Sequence, residues 1–379
     1  MTLASKLHAH RTISEDGELA DLCRTLGRAG RFGFDTEFIR ERSYLPQLCL
    51  VQVATEDFVA LIDCFAVNMQ PFWSLIKDAS VEKIVHAGAQ DFEICHMLSA
   101  ATPANVFDVQ VAAGLVGMPY PLSYARLVEQ LLNVNVPKAH TFTDWSKRPL
   151  RQGQIVYAIE DVAHLAALRK ELGLRLEKLG RTDWLREEMN CFEDPRAFVN
   201  DPGRAYARVK GASRLTPHQL AVLRELAAWR EEAARKADCP PRTFLKDEAL
   251  IGVVRSRPAG PDQLAEIRFF PRPLARECGG DMLAAVEKGF SQEPELWPSR
   301  LAPLDGDSVH RATVDRLLLA GQELCAGEQL SHDLFACRRN YAELAEAFRH
   351  NGNVDKLRLM SGWRGKLAAS RLLEELAGQ

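Results

Sequence analysis

The chain has 379 residues, of which 46% are hydrophobic and 26% are charged, and its formal net charge is −3. This length allows two or three domains of ordinary globular composition. No apolar run reaches the roughly 20 residues that a membrane-spanning helix needs. The total charge says nothing about a nucleic-acid partner, because binding depends on how basic residues are grouped on the surface.

The N-terminal segment and the cysteine pattern indicate the cellular compartment of the protein. The segment MTLASKLHAHRTISED has no apolar stretch of the secretory type. The nine cysteines are scattered without a Cys-x-x-Cys pair, which argues against a zinc ribbon and against a secreted disulfide framework. We therefore expect a cytoplasmic protein that has no membrane partner.

Strand and helix signals alternate through the first half of the chain. RFGFDTEF, QLCLVQVA and DFVALID are short, closely spaced runs typical of strands in an antiparallel meander. EKIVHA and NVFDV follow as strands and alternate with helical patterns at 90–99, 108–116, 122–132 and 152–179. This order predicts a mixed sheet flanked by helices.

The second half of the chain is helical throughout. Glycines and arginines around 202–213 predict a linker. After it, LTPHQLAVLRELAAWREEAARKAD has apolar residues at helical spacing and is ended by two prolines. A weak internal repeat between the segments near 261–290 and 353–376 predicts two small helical domains.

Asp35 and Glu37 are two residues apart in a predicted strand, so their side chains share one face. Phe34, Thr36 and Phe38 then point toward a core. Two adjacent carboxylates are unfavourable unless a cation joins them. An Asp-x-Glu pair also arises by chance on solvated surfaces, but the apolar flanks here disfavour such a surface.

Three further residues complete an ordered set. Asp91 lies in the first turn of a predicted helix, where it could equally stabilise the helix dipole. Tyr157 and Asp161 are four residues apart on one helix face, an arrangement also found when a packed tyrosine neighbours a surface acid. Taken together, four carboxylates without Cys or His suit Mg²⁺ or Mn²⁺. Two such ions are a standard means of hydrolysing phosphodiester bonds.

These segments resemble the Exo I, II and III motifs of the DEDD exonuclease superfamily. Asp35 and Glu37 match the Asp-x-Glu of Exo I, and Asp91 matches the aspartate that ends Exo II. Tyr157 through Asp161 matches the Tyr-x-x-x-Asp form of Exo III. Val156 stands where the other subclass has histidine, so the chain resembles the tyrosine subclass.

The resemblance narrows to the bacterial ribonuclease D family. SYLPQLCLVQVAT, FDVQVAAGLVG and KAHTFTDWSKRPLRQGQIVYAIEDV are similar to its catalytic domain, and PPRTFLKDEALIGVVRSRP to its first HRDC domain. LMSGWRGKLAA is similar to the end of its second HRDC domain. The resemblance implies an α/β ribonuclease H-like exonuclease domain at 1–205. It also implies two small all-α HRDC-like domains at 213–293 and 294–379.

The resemblance further implies 3′→5′ hydrolysis of RNA with release of nucleoside 5′-monophosphates. The expected substrates are tRNA precursors with 3′ extensions and other structured RNAs, and the protein would act as a monomer. Two divalent ions, Mg²⁺ or Mn²⁺, would bind the four carboxylates. Asp35, Glu37 and Asp161 would hold one ion, and Asp35 and Asp91 would place the other. Tyr157 would position the attacking water.

Several polar residues are candidates for substrate contact, with solvated surface or core packing as the alternative. The candidates near the last motifs are Lys138, Arg148, Gln154 and His86. A basic surface that would grip RNA is expected in the first HRDC-like domain, from Arg224, Arg230, Arg235, Lys236, Arg242, Lys246, Arg255 and Arg257. Glu160 is expected to lie outside the metal-ligand set, because it is rotated by about 100° from Asp161 on the helix.

Two other functions fit parts of the pattern. A DNA-directed 3′→5′ exonuclease could use the same carboxylates, since the 2′-hydroxyl is what separates RNA from DNA. A catalytically inactive RNA-binding protein could keep the fold, but loss of a carboxylate would then be expected, and all four are present.

Overall fold

The computed structural model describes residues 10–136, 144–198, 201–298, 308–350 and 352–377. Within these residues the chain forms two compact units. The first falls within Met1–Ile39, Leu48–Phe198 and Gly306–Gln379, and the second within Arg40–Gln47 and Val199–Asp305. The predicted ranges 1–205, 213–293 and 294–379 stay predictions.

A six-stranded mixed sheet lies in the first unit. Its strands are β1 (Arg11–Ile13), β2 (Arg31–Ile39), β3 (Gln47–Ala54), β4 (Val59–Asp63), β5 (Glu82–Val85) and β6 (Val106–Asp108). The strand order is β1-β4-β3-β2-β5-β6. β3 and β4 are antiparallel, whereas β1–β4, β2–β5 and β5–β6 are parallel. The predicted mixed sheet is confirmed, and the short β1 was not predicted.

Helices account for most of the remaining described residues. They are α1 (Asp16–Ala29), α2 (Gln70–Lys77), α3 (Ala89–Ser99), α4 (Val109–Leu115), α5 (Tyr124–Leu132), α6 (Gln152–Ala163), α7 (Leu165–Lys178), α8 (Thr182–Glu193), α9 (Pro217–Lys236), α10 (Pro241–Phe244), α11 (Asp247–Ser256), α12 (Pro261–Glu266), α13 (Arg272–Glu277), α14 (Gly279–Phe290), α15 (Ser308–Gly327), α16 (His332–Phe335), α17 (Arg338–Arg349) and α18 (Gly362–Ala377). The single helix predicted at 152–179 is wrong in one respect. It is divided at His164, the cap residue between α6 and α7, where φ is −108° and ψ is −2°.

Strand β2 is packed differently on its two faces. Phe34 lies on one face, where its ring centroid is 6.1 Å from that of Phe72 in α2 and 5.3 Å from that of Phe92 in α3. Gly33 lies on the other face, and a Cβ there would be only 2.8 Å from the Cβ of Leu165. The glycine therefore lets α7 pack directly against β2. Because α6 ends two residues before Leu165, the same contact holds α6 close to the strand.

Helices α15 to α18 share a continuous hydrophobic core with the sheet. Two buried arginines fasten them to the rest of the first unit. Arg181 donates to the carbonyl oxygens of Leu115 (2.8 Å) and Gln329 (3.1 Å). Arg364 pairs with Glu188 and donates to the carbonyl of Phe335 at 2.7 Å. Both arginines are 4% exposed, so these bonds satisfy charges that water does not reach.

The second unit has its own core, built around α9. A capping box begins α9, in which the Thr216 hydroxyl accepts from the Gln219 amide and the Gln219 side chain accepts from the Thr216 amide. The linker predicted around 202–213 forms two 3₁₀ helices, Pro202–Arg208 and Ala212–Arg214. Ala205 is 3% exposed, so this segment belongs to the core of the second unit.

The segment Arg40–Gln47, which follows β2 along the chain, also belongs to the second unit. Its Tyr44 is held by α9 and the residues just after it. The Tyr44 hydroxyl donates to Glu231 and accepts from Arg235, both at 3.2 Å, and its backbone amide donates to Asp238 at 3.1 Å.

Among the described residues, no helix combines the length and the apolar character needed to cross a membrane.

Candidate active site

Three of the four predicted carboxylates meet at one point. Asp35 and Glu37 project from the same face of β2, and α6 brings Asp161 to that face. One oxygen of each residue can be chosen so that the three oxygens lie within 4.8 Å of one another. This proximity follows from the strand period of two, which puts Asp35 and Glu37 together, and from the close packing at Gly33.

Asp91 reaches the same region by a different route. It is the third residue of α3 and is 7% exposed. Its Oδ1 accepts a short hydrogen bond from the Thr36 hydroxyl. Asp91 is not a member of the three-oxygen group, but its charge acts on both Asp35 and Glu37.

The start of α3 is fixed by Asp108, a residue that the sequence analysis missed. The Asp108 side chain accepts from the backbone amides of Ala87 and Gly88 (both 3.1 Å), just before α3. It also accepts from the amide of Gln110 (2.8 Å) in α4. One buried carboxylate thus positions two helices. The available signal was an aspartate at a strand end directly before a helical pattern, which is typical of an N-cap.

Burial and neighbouring carboxylates raise the pKa values of all four residues. Burial is the largest cause in each case. It raises the pKa of Glu37 to about 8, that of Asp161 to about 7 and that of Asp91 to about 6. The pKa of Asp35 lies well above its usual range, first because of burial and then because of the neighbouring carboxylates. Four such groups cannot all be ionised together at low cost unless positive charge is added.

The donor set fits a divalent cation. Asp161 Oδ2 is buried and has no hydrogen-bond partner within the described parts of the chain. A buried carboxylate oxygen without a partner costs about 1–3 kcal/mol or more, and a cation would remove that cost. The converging donors are carboxylate oxygens, which suits hard ions such as Mg²⁺ and Mn²⁺. Glu160 is also buried but is outside the three-oxygen group, as expected.

Tyr157 stands one helical turn before Asp161 and donates its hydroxyl hydrogen bond to that carboxylate. Burial, followed by the charges of Asp161 and Glu37, raises the pKa of Tyr157 above its usual range. The phenol therefore keeps its proton and acts as a donor. Its ring centroid lies 6.0 Å from that of Trp145, which is 8% exposed and belongs to the core.

Arg148, a predicted substrate contact, is held by the protein itself. Its Nε lies 2.6 Å from Asp63 Oδ2, and its Nη2 donates to Asp63 Oδ1 (2.8 Å) and to the carbonyl of Cys49 (2.9 Å). Its Nη1 donates to the carbonyl of Trp145 at 2.8 Å. Because all three guanidinium nitrogens have protein partners, the structure favours a structural role for Arg148 over the predicted substrate contact.

The other predicted substrate contacts have different surroundings. Gln154 is 7% exposed, and its Oε1 accepts from the amide of Arg151 at 2.9 Å, at the start of α6. Its Nε2 is buried and finds no hydrogen-bond partner in the described ranges of the chain. His86 Nε2 is 2.9 Å from the carbonyl oxygen of Leu122, so this histidine supports the segment before α5. Lys138 lies outside the described residues.

The basic surface expected in the helical half needs one correction. Arg230 is 4% exposed and its Nη1 lies 2.7 Å from Asp247 Oδ1. It is a core ion pair, so its expected place on an RNA-binding surface was wrong. Lys210, Arg242 and Lys246 are exposed and line a hollow in the second unit. Lys210 was not among the predicted residues.

Comparisons with known proteins give one consistent picture. The family described as 3′-5′ exonuclease matches residues 10–177, and the HRDC domain family matches residues 219–286. The chain is 39% identical to ribonuclease D of Sphingobium indicum over 363 residues, covering 94% of this chain and 92% of that protein. It is 37% identical to ribonuclease D of Nitrobacter hamburgensis over 308 residues, covering 80% of each.

Two solved structures cover nearly the whole chain. The crystal structure of Escherichia coli RNase D, described as an exoribonuclease involved in structured RNA processing, matches with a TM-score of 0.85 and 29% identity. The match covers 97% of this chain and 99% of that one. A protein from Bifidobacterium adolescentis matches with a TM-score of 0.67 and 22% identity, covering 97% of both chains, and shares the fold.

Proposed function

The chain belongs to the ribonuclease D family and is a 3′→5′ exoribonuclease. From this premise we propose that it trims the 3′ ends of tRNA precursors and other structured RNAs by two-metal-ion hydrolysis, releasing nucleoside 5′-monophosphates. The observation that carries the proposal is the convergence of Asp35, Glu37 and Asp161 within 4.8 Å, with the charge of Asp91 acting on the same site.

Each site residue has a definite task in this proposal. Asp35, Glu37 and Asp161 would hold one divalent cation, and Asp35 together with Asp91 would hold the second, with Mg²⁺ or Mn²⁺ as the ions. Such ions, when bound, supply charge neutralisation, an activated water and stabilisation of the leaving oxygen. The protonated hydroxyl of Tyr157 would orient the attacking water beside Asp161, which already accepts its hydrogen bond.

The test compares a 5′-labelled tRNA that carries a short 3′ extension with an unstructured RNA and a DNA oligonucleotide of equal length. Each is incubated with Mg²⁺ or Mn²⁺, or with EDTA. We expect stepwise shortening of the tRNA in metal, none in EDTA, and a loss of several orders of magnitude in the Asp35→Ala variant. Asp183→Ala, which removes an exposed carboxylate in α8, is the control and should retain activity.

Three outcomes would contradict parts of the proposal. Equal or faster digestion of DNA would overturn the RNA preference, and equal digestion of unstructured RNA would overturn the preference for structured substrates. Full activity of the Asp35→Ala variant, or of the wild type in EDTA, would contradict the proposed metal site.

We propose that Lys210 and Lys246 contact the phosphates of the bound RNA. Both are exposed, and they line one hollow together with Arg242, Asp247 and Glu248. Arg242 pairs with Asp247 at 3.2 Å, so Lys210 and Lys246 are the cations left for phosphate. Each phosphate contact contributes roughly 0.7–0.9 to the slope of log affinity against log salt. Lys246→Ala should therefore reduce that slope by about 1. Lys178→Ala, which removes an exposed lysine at the end of α7, is the control. An unchanged slope in Lys246→Ala would exclude the contact.

We further propose that the protein works as a monomer in the cytoplasm. None of the nine cysteines, all of which lie in described residues, forms a disulfide bond, which fits a reducing compartment. Light scattering after gel filtration should give the mass of one chain, and a mass of two chains would overturn the monomer. A fluorescently tagged, active protein expressed in its host should fill the cytoplasm, and another location would overturn that part.

A further inference from the structure

Thr36 stands between the two carboxylates of β2 but points to the opposite face. It is 5% exposed, and its hydroxyl donates to Asp91 Oδ1, a residue 55 positions further along the chain. Its backbone amide donates to the carboxylates of both Asp35 and Asp91. One residue therefore touches both carboxylates that the second cation would need.

Asp91 has to be held in place, because it approaches other carboxylates from a separate helix. Asp108 fixes the backbone at the start of α3. That contact does not determine the rotation of the Asp91 carboxylate about its own side-chain bonds. Repulsion from Asp35 favours a carboxylate turned away from the site. The Thr36 hydroxyl, which donates to Asp91 Oδ1, opposes that rotation.

We propose that the Thr36 hydroxyl is a positioning group for the second cation. It holds the Asp91 carboxylate in the orientation in which it would bind the ion shared with Asp35. This inference rests on the proposed two-metal hydrolysis. Partners of metal-ligating carboxylates typically change metal affinity or activity by about 10- to 100-fold when they are removed. Thr36 is not expected to contact RNA, so its effect should be on metal binding and kcat, with little effect on KM.

Three variants separate the hydroxyl from the side-chain volume. Thr36→Val keeps the shape and removes the hydroxyl. Thr36→Ser keeps the hydroxyl and removes a methyl group. Thr313→Val is the control for losing a buried threonine hydroxyl elsewhere, since Thr313 is 6% exposed and donates to the carbonyl of Val309 at 3.1 Å.

The first measurement is a Mn²⁺ titration of EDTA-stripped full-length protein, followed by electron paramagnetic resonance and by calorimetry. Wild type, Thr36→Ser and Thr313→Val should each bind two ions per chain. Thr36→Val should bind one ion normally and the second about 10- to 100-fold more weakly. The second measurement is steady-state hydrolysis of RNA, in which kcat of Thr36→Val should fall by a similar factor while KM changes by no more than about twofold.

The outcomes distinguish this inference from the proposed function. If wild type binds fewer than two ions, or hydrolyses RNA without metal, the two-metal proposal itself fails. If wild type binds two ions and Thr36→Val binds two with unchanged affinity and kcat, only the role of Thr36 fails. Equal losses in Thr36→Ser and Thr36→Val, with a lowered melting temperature in both, would show that Thr36 acts through packing and would overturn the inference.

Discussion

Asp161 shows how the site is built at the scale of single residues. Its carboxylate accepts from Tyr157 and lies with Asp35 and Glu37 in the three-oxygen group. One of its oxygens is buried and has no hydrogen-bond partner among the residues that the structure describes. Burial and the neighbouring charge of Glu160 both raise the pKa of Asp161. The metal-free protein has an electrostatic cost here that divalent cations would remove.

Replacing Tyr157 with Phe removes the hydroxyl and leaves the ring against Trp145. We expect kcat to fall by about 10²–10³-fold, because an oriented donor at the attacking water is lost. KM for RNA and the number of bound Mn²⁺ ions should stay close to wild type. Tyr206→Phe, in the second unit, is the control. Steady-state kinetics with wild-type kcat in Tyr157→Phe would exclude the water-positioning role.

The raised carboxyl pKa values predict how the stability of the EDTA-treated protein depends on pH. A carboxyl group whose pKa is higher in the folded state than its unfolded value near 4 contributes stability that is fully present below about pH 4. That contribution is lost as pH rises through the folded-state pKa. For Asp91, Asp161 and Glu37 these values are about 6, 7 and 8. The melting temperature should therefore decrease as pH is raised from about 5 to about 8.

Added Mg²⁺ should increase the melting temperature more at pH 8 than at pH 5, because metal binding requires deprotonated carboxylates. Differential scanning fluorimetry in EDTA and in Mg²⁺ measures both effects. In Glu37→Gln the pH dependence should be weaker. If the melting temperature of the wild type in EDTA increases with pH when compared with that of Glu37→Gln, the raised pKa values of the carboxyl groups are contradicted.

At the scale of elements, the site depends on how α6 is placed against β2. Gly33 allows the close approach of Leu165, which follows α6 in the chain. On the other side of α6, Arg148 ties the preceding segment to Asp63 at the end of β4. The helix that carries Tyr157 and Asp161 is thus fixed by the chain on both sides of it.

Arg148→Ala and Asp63→Ala test whether that tie is structural. Each removes the charge-assisted hydrogen bonds between Arg148 and Asp63, so each should destabilise the first unit by roughly 1.5–3 kcal/mol. The double variant should be less destabilised than the sum of the two. Chemical denaturation gives the free energies of unfolding. If Arg148 instead contacts RNA, only Arg148→Ala will raise KM, and Asp63→Ala will leave both KM and stability unchanged.

At the scale of the whole molecule, the C-terminal helices divide unequally between the two cores. Helices α9 to α14 surround their own core, whereas α15 to α18 complete the core that contains the sheet. Trp363 in α18 shows the connection clearly. It is 1% exposed, its ring is stacked 4.6 Å from that of Trp184, and its Nε1 donates to Glu188 at 2.7 Å.

Trp363→Ala should destabilise the sheet and the C-terminal helices together, by about 3–5 kcal/mol. Hydrogen exchange followed by mass spectrometry should show faster exchange in β2 as well as in α18. Trp297→Ala is the control, because this partly buried tryptophan stacks on His218 in the second unit. If β2 exchanges at the wild-type rate in Trp363→Ala, α15 to α18 fold separately from the sheet.

Short-range patterns in the sequence predicted much of the fold and part of the site. Strand alternation placed Asp35 and Glu37 on one face, and helical spacing placed Tyr157 beside Asp161. The break at His164 was not predictable, because the apolar pattern continues across it. Arg148 was a candidate for substrate contact or for solvated surface, because nothing in its own segment indicates a partner in β4, 85 residues earlier.

The sequence by itself determined strands β2 to β6, the helical second half and the choice of four candidate carboxylates, because these follow from local periodicity and from a family resemblance along the chain. Only the tertiary structure decided that Thr36 meets Asp91, that Asp108 fixes the start of α3 and that α15 to α18 complete the core of the sheet. Such contacts join residues far apart in the chain, and they depend on how whole elements pack against one another, which no local pattern encodes.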